Sequence, residues 1–413
     1  MKRSFVPLTL LKAAVMAACA VVVCGAALAG VSFIDGNPLD PEMQEKVRAA
    51  LARLKQAPAD TAAIETLLAV EPQVVDAVGT NHAFSGTDPL RNEALQWCQT
   101  LQPADVLEGC LDKGSNAAVH WALRQIVWRL HNRKDKDGFD EKGLARLLPG
   151  IERALTQAEP ATRAQAVRTK VHCLPDAQRA PFLQGLLQGQ PDEVTAEAIA
   201  GLVNKREVNA EIEVIVARWL KTSENPVLLN ACCSYWWLVK SRHSVEVTAE
   251  QMAAFERLAA LPDITVRCAV TRVLAEVATP ERPRMVGLLL RLTSDKETRV
   301  QHDAIRALRH ANTAQVKGRL LELFALDQPA ELRTAAMEVL GVFGGENLPL
   351  IIQAAKTDPE RGVRQNAVYA LRIIGTDEAG AALEVAAKDA DVNVQREARE
   401  QLEWFRKEHG KKP

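Results

Sequence analysis

Four stretches in the last third of the chain repeat one order of apolar and polar positions. DKETRVQHDAIRAL, DQPAELRTAAMEVL, DPERGVRQNAVYAL and DADVNVQREAREQL align without gaps, and their leading aspartates (Asp295, Asp327, Asp358, Asp389) are 32, 31 and 31 residues apart. Val300, Leu332, Val363 and Val394 keep that spacing, as do Ala304, Ala336, Ala367 and Ala398, then Leu308, Leu340, Leu371 and Leu402. Each set falls at i, i+4 and i+8, which is one stripe along an α-helix. AQVKGRLLELFAL, NLPLIIQAAK and AGAALEVAAK lie between these helices and read as helices themselves. The unit is a helix–turn–helix with a period near 31, the mark of an α-solenoid.

Upstream the same register is weaker. DITVRCAVTRVLAEV puts Val266, Val270 and Leu274 on the stripe, NPVLLNACCSYWWLV puts Val227, Ala231 and Tyr235 there, and PDEVTAEAIAGLV puts Val194, Ala198 and Leu202 there. About eight extra residues separate Lys240 from Glu250. EPATRAQAVRTKV and SNAAVHWALRQIVWRL resemble earlier second helices, residues 38–112 read as helical without aligning to the unit, and GTNHAFSGTDP is a turn-rich break. The central alanine lets neighbouring helices approach closely. The aspartate before each second helix suits a cap for its free N–H groups. Glycines in GVFGG and IIGT fall where these helices end.

These residues resemble HEAT repeats, in particular the short variety of phycobilisome lyases. The resemblance is carried by the aspartate, the Val-Arg or Leu-Arg pair (Val266-Arg267, Leu332-Arg333, Val363-Arg364) and the Ala and Leu that follow. Gln301 and Gln395 depart from it by standing where the arginine belongs. It covers residues 255–405 well and extends back to about 115. The expected fold is therefore all-α: a right-handed α-solenoid of stacked helix pairs preceded by an N-terminal signal or anchor helix. The expected division is 1–29 signal or anchor, 30–114 N-terminal helical region, 115–405 solenoid and 406–413 charged tail. The resemblance implies a binding or scaffolding role, with second helices lining a concave face. Some relatives, the deoxyhypusine hydroxylases, bind iron through His-Glu dipeptides; none of the eight histidines here is followed by glutamate.

Composition narrows the function classes. Net charge is −1, so the basic footprint of a nucleic-acid binder is absent. The N-terminus holds Lys2, Arg3 and Lys12, then 17 residues without charge ending at Ala27-Leu28-Ala29. This reads as a cleaved export signal or, over residues 13–34, as an uncleaved anchor. Either places the body on the non-cytoplasmic side, periplasmic, secreted or held at the inner membrane. Of eight cysteines, six lie beyond this segment, and Cys98 and Cys110 flank a predicted helix turn where a disulfide fits. RKDKDGFDEKGL at 133–144 lacks the calcium ligands needed at its first and last positions.

Counting from Val227, the positions two, six and nine residues on carry Leu229, Cys233 and Trp236; the next repeat carries Cys268, Arg272 and Ala275, and the one after it His302, Arg306 and Arg309. An apolar patch on an otherwise charged face marks docking. Leu229, Cys233, Trp236, Cys268, Arg272, Arg306 and Arg309 are thus the candidate protein-binding surface, unless the insertion at 241–250 or the N-terminal region covers it. The expected protein is a non-catalytic scaffold of the cell envelope with protein partners and no cofactor, metal or nucleic acid. The rival is an enzyme or ligand-binding receptor using a pocket around Cys233, Trp236 and His302.

Overall fold

The computed structural model describes residues 38–70, 88–131, 141–207, 209–242 and 247–409. Among them are 21 α-helices and no strand. The predicted signal or anchor, the turn-rich break and most of the 133–144 loop lie outside the described residues. No described helix is long and apolar enough to cross a membrane. The chain divides into two compact units, residues 1–198 and 199–413.

The first unit holds α1 (Pro41–Gln56), α2 (Thr61–Leu68), α3 (Pro89–Gln99), α4 (Ala104–Lys113), α5 (Asn116–His131), α6 (Glu141–Gln157), α7 (Pro160–Cys173) and α8 (Asp176–Gln184). Helix α9 (Asp192–Lys205) crosses the boundary. Helices α4 and α5, then α6 and α7, pair as hairpins, and α5 lies beside α7, so the stretches expected as earlier second helices are second helices. Asp88 accepts from the Leu90 and Arg91 N–H groups to cap α3 and from the Leu39 N–H, tying the lead-in of α1 to α3. The core centres on Leu95, Leu107, Trp121, Ile126, Leu147 and Ile151. The Trp121 Nε1–H and Gln125 Nε2–H donate to the Cys98 carbonyl at 2.9 and 3.1 Å.

The second unit continues with α10 (Ala210–Thr222), α11 (Pro226–Arg242), α12 (Ala249–Ala259), α13 (Ile264–Ala275), α14 (Pro283–Leu292), α15 (Thr298–Ala307), α16 (Ala314–Phe324), α17 (Ala330–Phe343), α18 (Leu348–Thr357), α19 (Arg361–Ile374), α20 (Asp377–Ala386) and α21 (Val392–His409). The odd-numbered helices α11 to α21 pack side by side in chain order, and the even-numbered ones form a second layer against them. Val, Ala and Leu of the predicted stripe in α13, α15, α17, α19 and α21 are all buried. Gly344 and Gly375 end α17 and α19 at φ of 83° and 70°, a region that penalises any Cβ.

The repeated aspartates do not cap the helices. The caps are two residues later, at Glu297, Pro329, Glu360 and Asp391. Asp295, Asp358 and Asp389 instead accept from the N–H of Glu297, Glu360 and Asp391, and each grips the arginine of the preceding repeat. Arg267 meets Asp295 through two hydrogen bonds of 2.8 and 3.0 Å, Arg333 meets Asp358 at 3.3 and 3.1 Å, and Arg364 meets Asp389 at 2.9 and 3.2 Å. Arg267 and Arg364 also donate to carbonyls in the turn before their own helix. Two-point contacts of this kind fix angle as well as distance.

The departures at Gln301 and Gln395 now have a consequence. Each amide still reaches its own turn, through the Asp295 and Asp389 carbonyls, but an amide carries no charge to offer the next aspartate. Asp327, the partner that Gln301 would need, is exposed. The ladder therefore has rungs between α13 and α15, α17 and α19, and α19 and α21, and a gap between α15 and α17. Arg333→Ala leaves the Asp358 carboxylate buried without its cation, which costs about 3–5 kcal/mol and is expected to lower the urea midpoint. Gln301→Arg is expected to engage Asp327 and slow amide exchange at the start of α17. Unchanged behaviour of both variants would show that the ladder does not carry the repeat junctions.

Candidate functional site

Helix α11 holds most of the predicted apolar patch, and its register is set by its cap. The Asn225 side chain accepts from the N–H groups of Val227 and Leu228 at 2.9 and 3.2 Å, and its carbonyl accepts from Leu229 N–H. In α13, α15, α17 and α19 the stripe begins three residues after the cap, at Val266, Val300, Leu332 and Val363. In α11 that residue is Leu228, not Val227. The stripe is Leu228, Cys232 and Trp236, and Val227 is 57% exposed.

This single-residue shift relocates the candidate surface. Leu229, Cys233, Trp236 and Cys268 are all buried and are core, not docking residues. Trp236 packs against α12, where the Phe255 ring meets it edge-on with centroids 6.3 Å apart. Tyr235 is also buried; its hydroxyl accepts from the Asn209 N–H, and burial pushes the phenol up to about 12. The strip of α11 left partly accessible is Asn230, Ser234 and Trp237.

Arg272 and Arg306 are exposed and Arg309 is half-buried at the surface of the odd-numbered layer. Arg272 Nη2 donates to Asn230 Oδ1 at 2.7 Å, which confirms that Asn230 shares this face. Arg306 pairs with Glu338 at 2.9 Å, and Arg309 approaches Glu276 at 3.7 Å. His310 accepts from Arg309 Nε, and burial together with the Arg309 charge lowers its pKa.

The same face carries further apolar side chains. Val342, Ile373 and Trp404 occupy equivalent positions on α17, α19 and α21 and are 51, 49 and 55% exposed; Tyr369 on α19 is 48% exposed. The Arg372 guanidinium lies over the Tyr369 ring at 5.3 Å, and the Lys407 ammonium lies 5.6 Å from the Trp404 ring. Gly341 allows the close approach that lines these side chains up: a Cβ there would lie 2.5 Å from the Ala370 Cβ.

Burial sets the chemistry of the thiols. Burial pushes Cys98, Cys110, Cys233 and Cys268 each up to about 12, so they stay protonated at neutral pH, and the thiolate is the nucleophile. Cys268 is further held by a hydrogen bond to Asp303, whose carboxylate also sits 3.6 Å from His302 Nδ1. Cys233 and Trp236 lie in the core, while His302 is half-buried. Of the two readings of Cys98 and Cys110, a disulfide or two buried free thiols, the structure has the second: both are free and face the apolar core of the first unit. Among the described residues no group of three or more His, Cys, Asp or Glu is arranged to hold a metal ion.

The two tryptophans separate under mutation. Trp236→Ala empties a core site and is expected to cost about 3–5 kcal/mol, seen in the thermal midpoint, whereas Trp237→Ala should shift it far less. The reverse order would restore the earlier register. Iodoacetamide at pH 8 is expected to label Cys98, Cys110, Cys233 and Cys268 far more slowly in the native chain than in urea. Fast native labelling of Cys233 or Cys268 would mean that the face is open there.

A family model described as HEAT repeats matches residues 253–341 and again 320–403. Among solved structures the chain is similar to YIBA_ECOLI, with 13% identity, TM-score 0.42, and 65% of this chain and 98% of that one covered. It is similar to human deoxyhypusine hydroxylase, with 21% identity, TM-score 0.28 and coverages of 74 and 96%. It is also similar to a chain in the structure of Kap95p with RanGDP, with 14% identity, TM-score 0.44 and coverages of 82 and 49%. No curated protein matches. The matched residues are the helix pairs α12 to α21 with their buried stripe, and this part of the chain is similar to HEAT repeats.

Proposed function

We propose that this protein is a non-catalytic scaffold of the cell envelope that binds a protein partner on the face formed by α11, α13, α15, α17, α19 and α21. In a right-handed HEAT array this would be the concave side. The observation that carries the reading is the exposed line Val342, Ile373 and Trp404 with Tyr369 beside it, on helices whose neighbouring surface positions are charged or polar. Aromatic and aliphatic side chains half exposed in a row are what a partner buries with most gain.

Export rests on the N-terminal segment alone: its positive flank, its uncharged run and the small residues at Ala27-Leu28-Ala29. Whether residues 13–34 are cleaved or stay as an anchor decides between a free periplasmic or secreted protein and one attached to the membrane.

Ile373→Asp and Trp404→Asp are expected to remove partners recovered by crosslinking in intact envelopes while leaving the melting temperature unchanged, because both side chains are about half exposed in the folded chain. Full recovery by both variants would overturn the reading. A fusion of residues 1–40 to a reporter active only outside the cytoplasm tests export separately.

A further inference from the structure

We propose that this face seats a polypeptide segment of mixed character, with carboxylates against α13 and α15 and large apolar side chains against α17, α19 and α21. The inference rests on the protein-binding reading above and adds the chemistry of the partner.

The charge along the face is uneven. On α13, α15 and the 3-10 turn that follows α15 it presents Arg272, Arg306 and Arg309. Arg272 is held by a neutral amide and makes no ion pair among the described residues. Arg309 has only the looser approach to Glu276, and Arg306 is paired with Glu338 while remaining exposed. A guanidinium offers five N–H donors, so each arginine retains donors for a carboxylate arriving from outside. The acids nearby do not cancel this. Asp303 is occupied by Cys268 and His302, and Glu276 is shared with Arg309. On α17, α19 and α21 the character changes to Val342, Tyr369, Ile373 and Trp404, and the adjacent cations Arg372 and Lys407 lie over the rings.

Dimensions fit a continuous segment. Neighbouring helices pack about 8–10 Å apart, so α13 to α21 spans about 32–40 Å. An extended chain covers that in about 10–12 residues. One side chain per helix is then presented to one strand of partner, with the acidic part at one end.

The test is panning of the full chain against a phage-displayed random library of peptides about 16 residues long, followed by anisotropy of the labelled winners. Enriched peptides are expected to carry Asp or Glu next to aromatic or aliphatic residues. They should bind about tenfold more weakly to Arg306→Glu and to Ile373→Asp, with Lys-for-acid peptides recovering on Arg306→Glu. An unchanged melting temperature checks that each variant is folded. Winners without acidic residues, or indifferent to Arg306→Glu, overturn the partner chemistry and leave protein binding standing. Winners indifferent to both variants, or no enrichment, overturn the seat itself. A concentration-dependent rise in mass by light scattering that Ile373→Asp abolishes would make a second copy of this chain the occupant and overturn the proposal.

Discussion

Side-by-side packing of successive second helices is the constraint on which the second unit depends. Nothing larger than alanine stands at the middle of the stripe in α15, α17, α19 and α21, and Ala304, Ala336, Ala367 and Ala398 are fully buried. At Gly341 the approach is closer still, since even a Cβ would collide with Ala370. Helices brought this near must keep a common register, because side chains three and four apart on one helix fall between those of the next. A common register is what places Val342, Ile373 and Trp404 in one line instead of scattering them.

The Arg–Asp rungs complement that packing. A buried ion pair gains little net stability over apolar residues of the same shape, yet removing one partner is expensive. Arg333 with Asp358 and Arg267 with Asp295 are the most buried pairs, and both join the turn of one repeat to the helix of its neighbour. Their effect is on geometry: a slipped repeat would leave a charge buried without its counterpart. Where Gln301 omits the rung, apolar packing and the exposed Arg306–Glu338 pair hold α15 to α17.

The last four repeats were legible because one side of each second helix is apolar and the other polar, so periodicity alone sets the register. In α11 it does not. Leu228, Leu229, Cys232, Cys233, Tyr235, Trp236 and Val239 are all buried, leaving a strip only one side chain wide, and a helix apolar on most sides fits two adjacent registers equally well. Ala231 resembled the small central residue of the later repeats and drew the alignment one position off. Asn225 held the correct answer, since a capping side chain has only one place relative to the helix it starts. The role of the aspartates is hidden from a local pattern for a different reason. Their true partners are arginines 28 and 25 residues away in sequence, and pairings of that range leave no mark in a local pattern. The exposed line at Val342, Ile373 and Trp404 was visible in the sequence as equivalent positions, but only the packing of the layers shows which side they take.

The two halves of the face contribute to binding in unlike ways. Arg272, Arg306 and Arg309 are near water, where an ion pair is worth at most about 1 kcal/mol and is weakened by salt. Covering a half-exposed aromatic or branched side chain returns roughly 25 cal/mol for each Å² removed from water, and four such side chains stand in one cluster. The apolar end therefore supplies most of the holding energy, and the arginines supply direction and rate of encounter. A partner reversed end for end would bring its carboxylates onto Ile373 and Trp404 and lose both contributions, so the uneven charge fixes the polarity in which a segment lies across the helices.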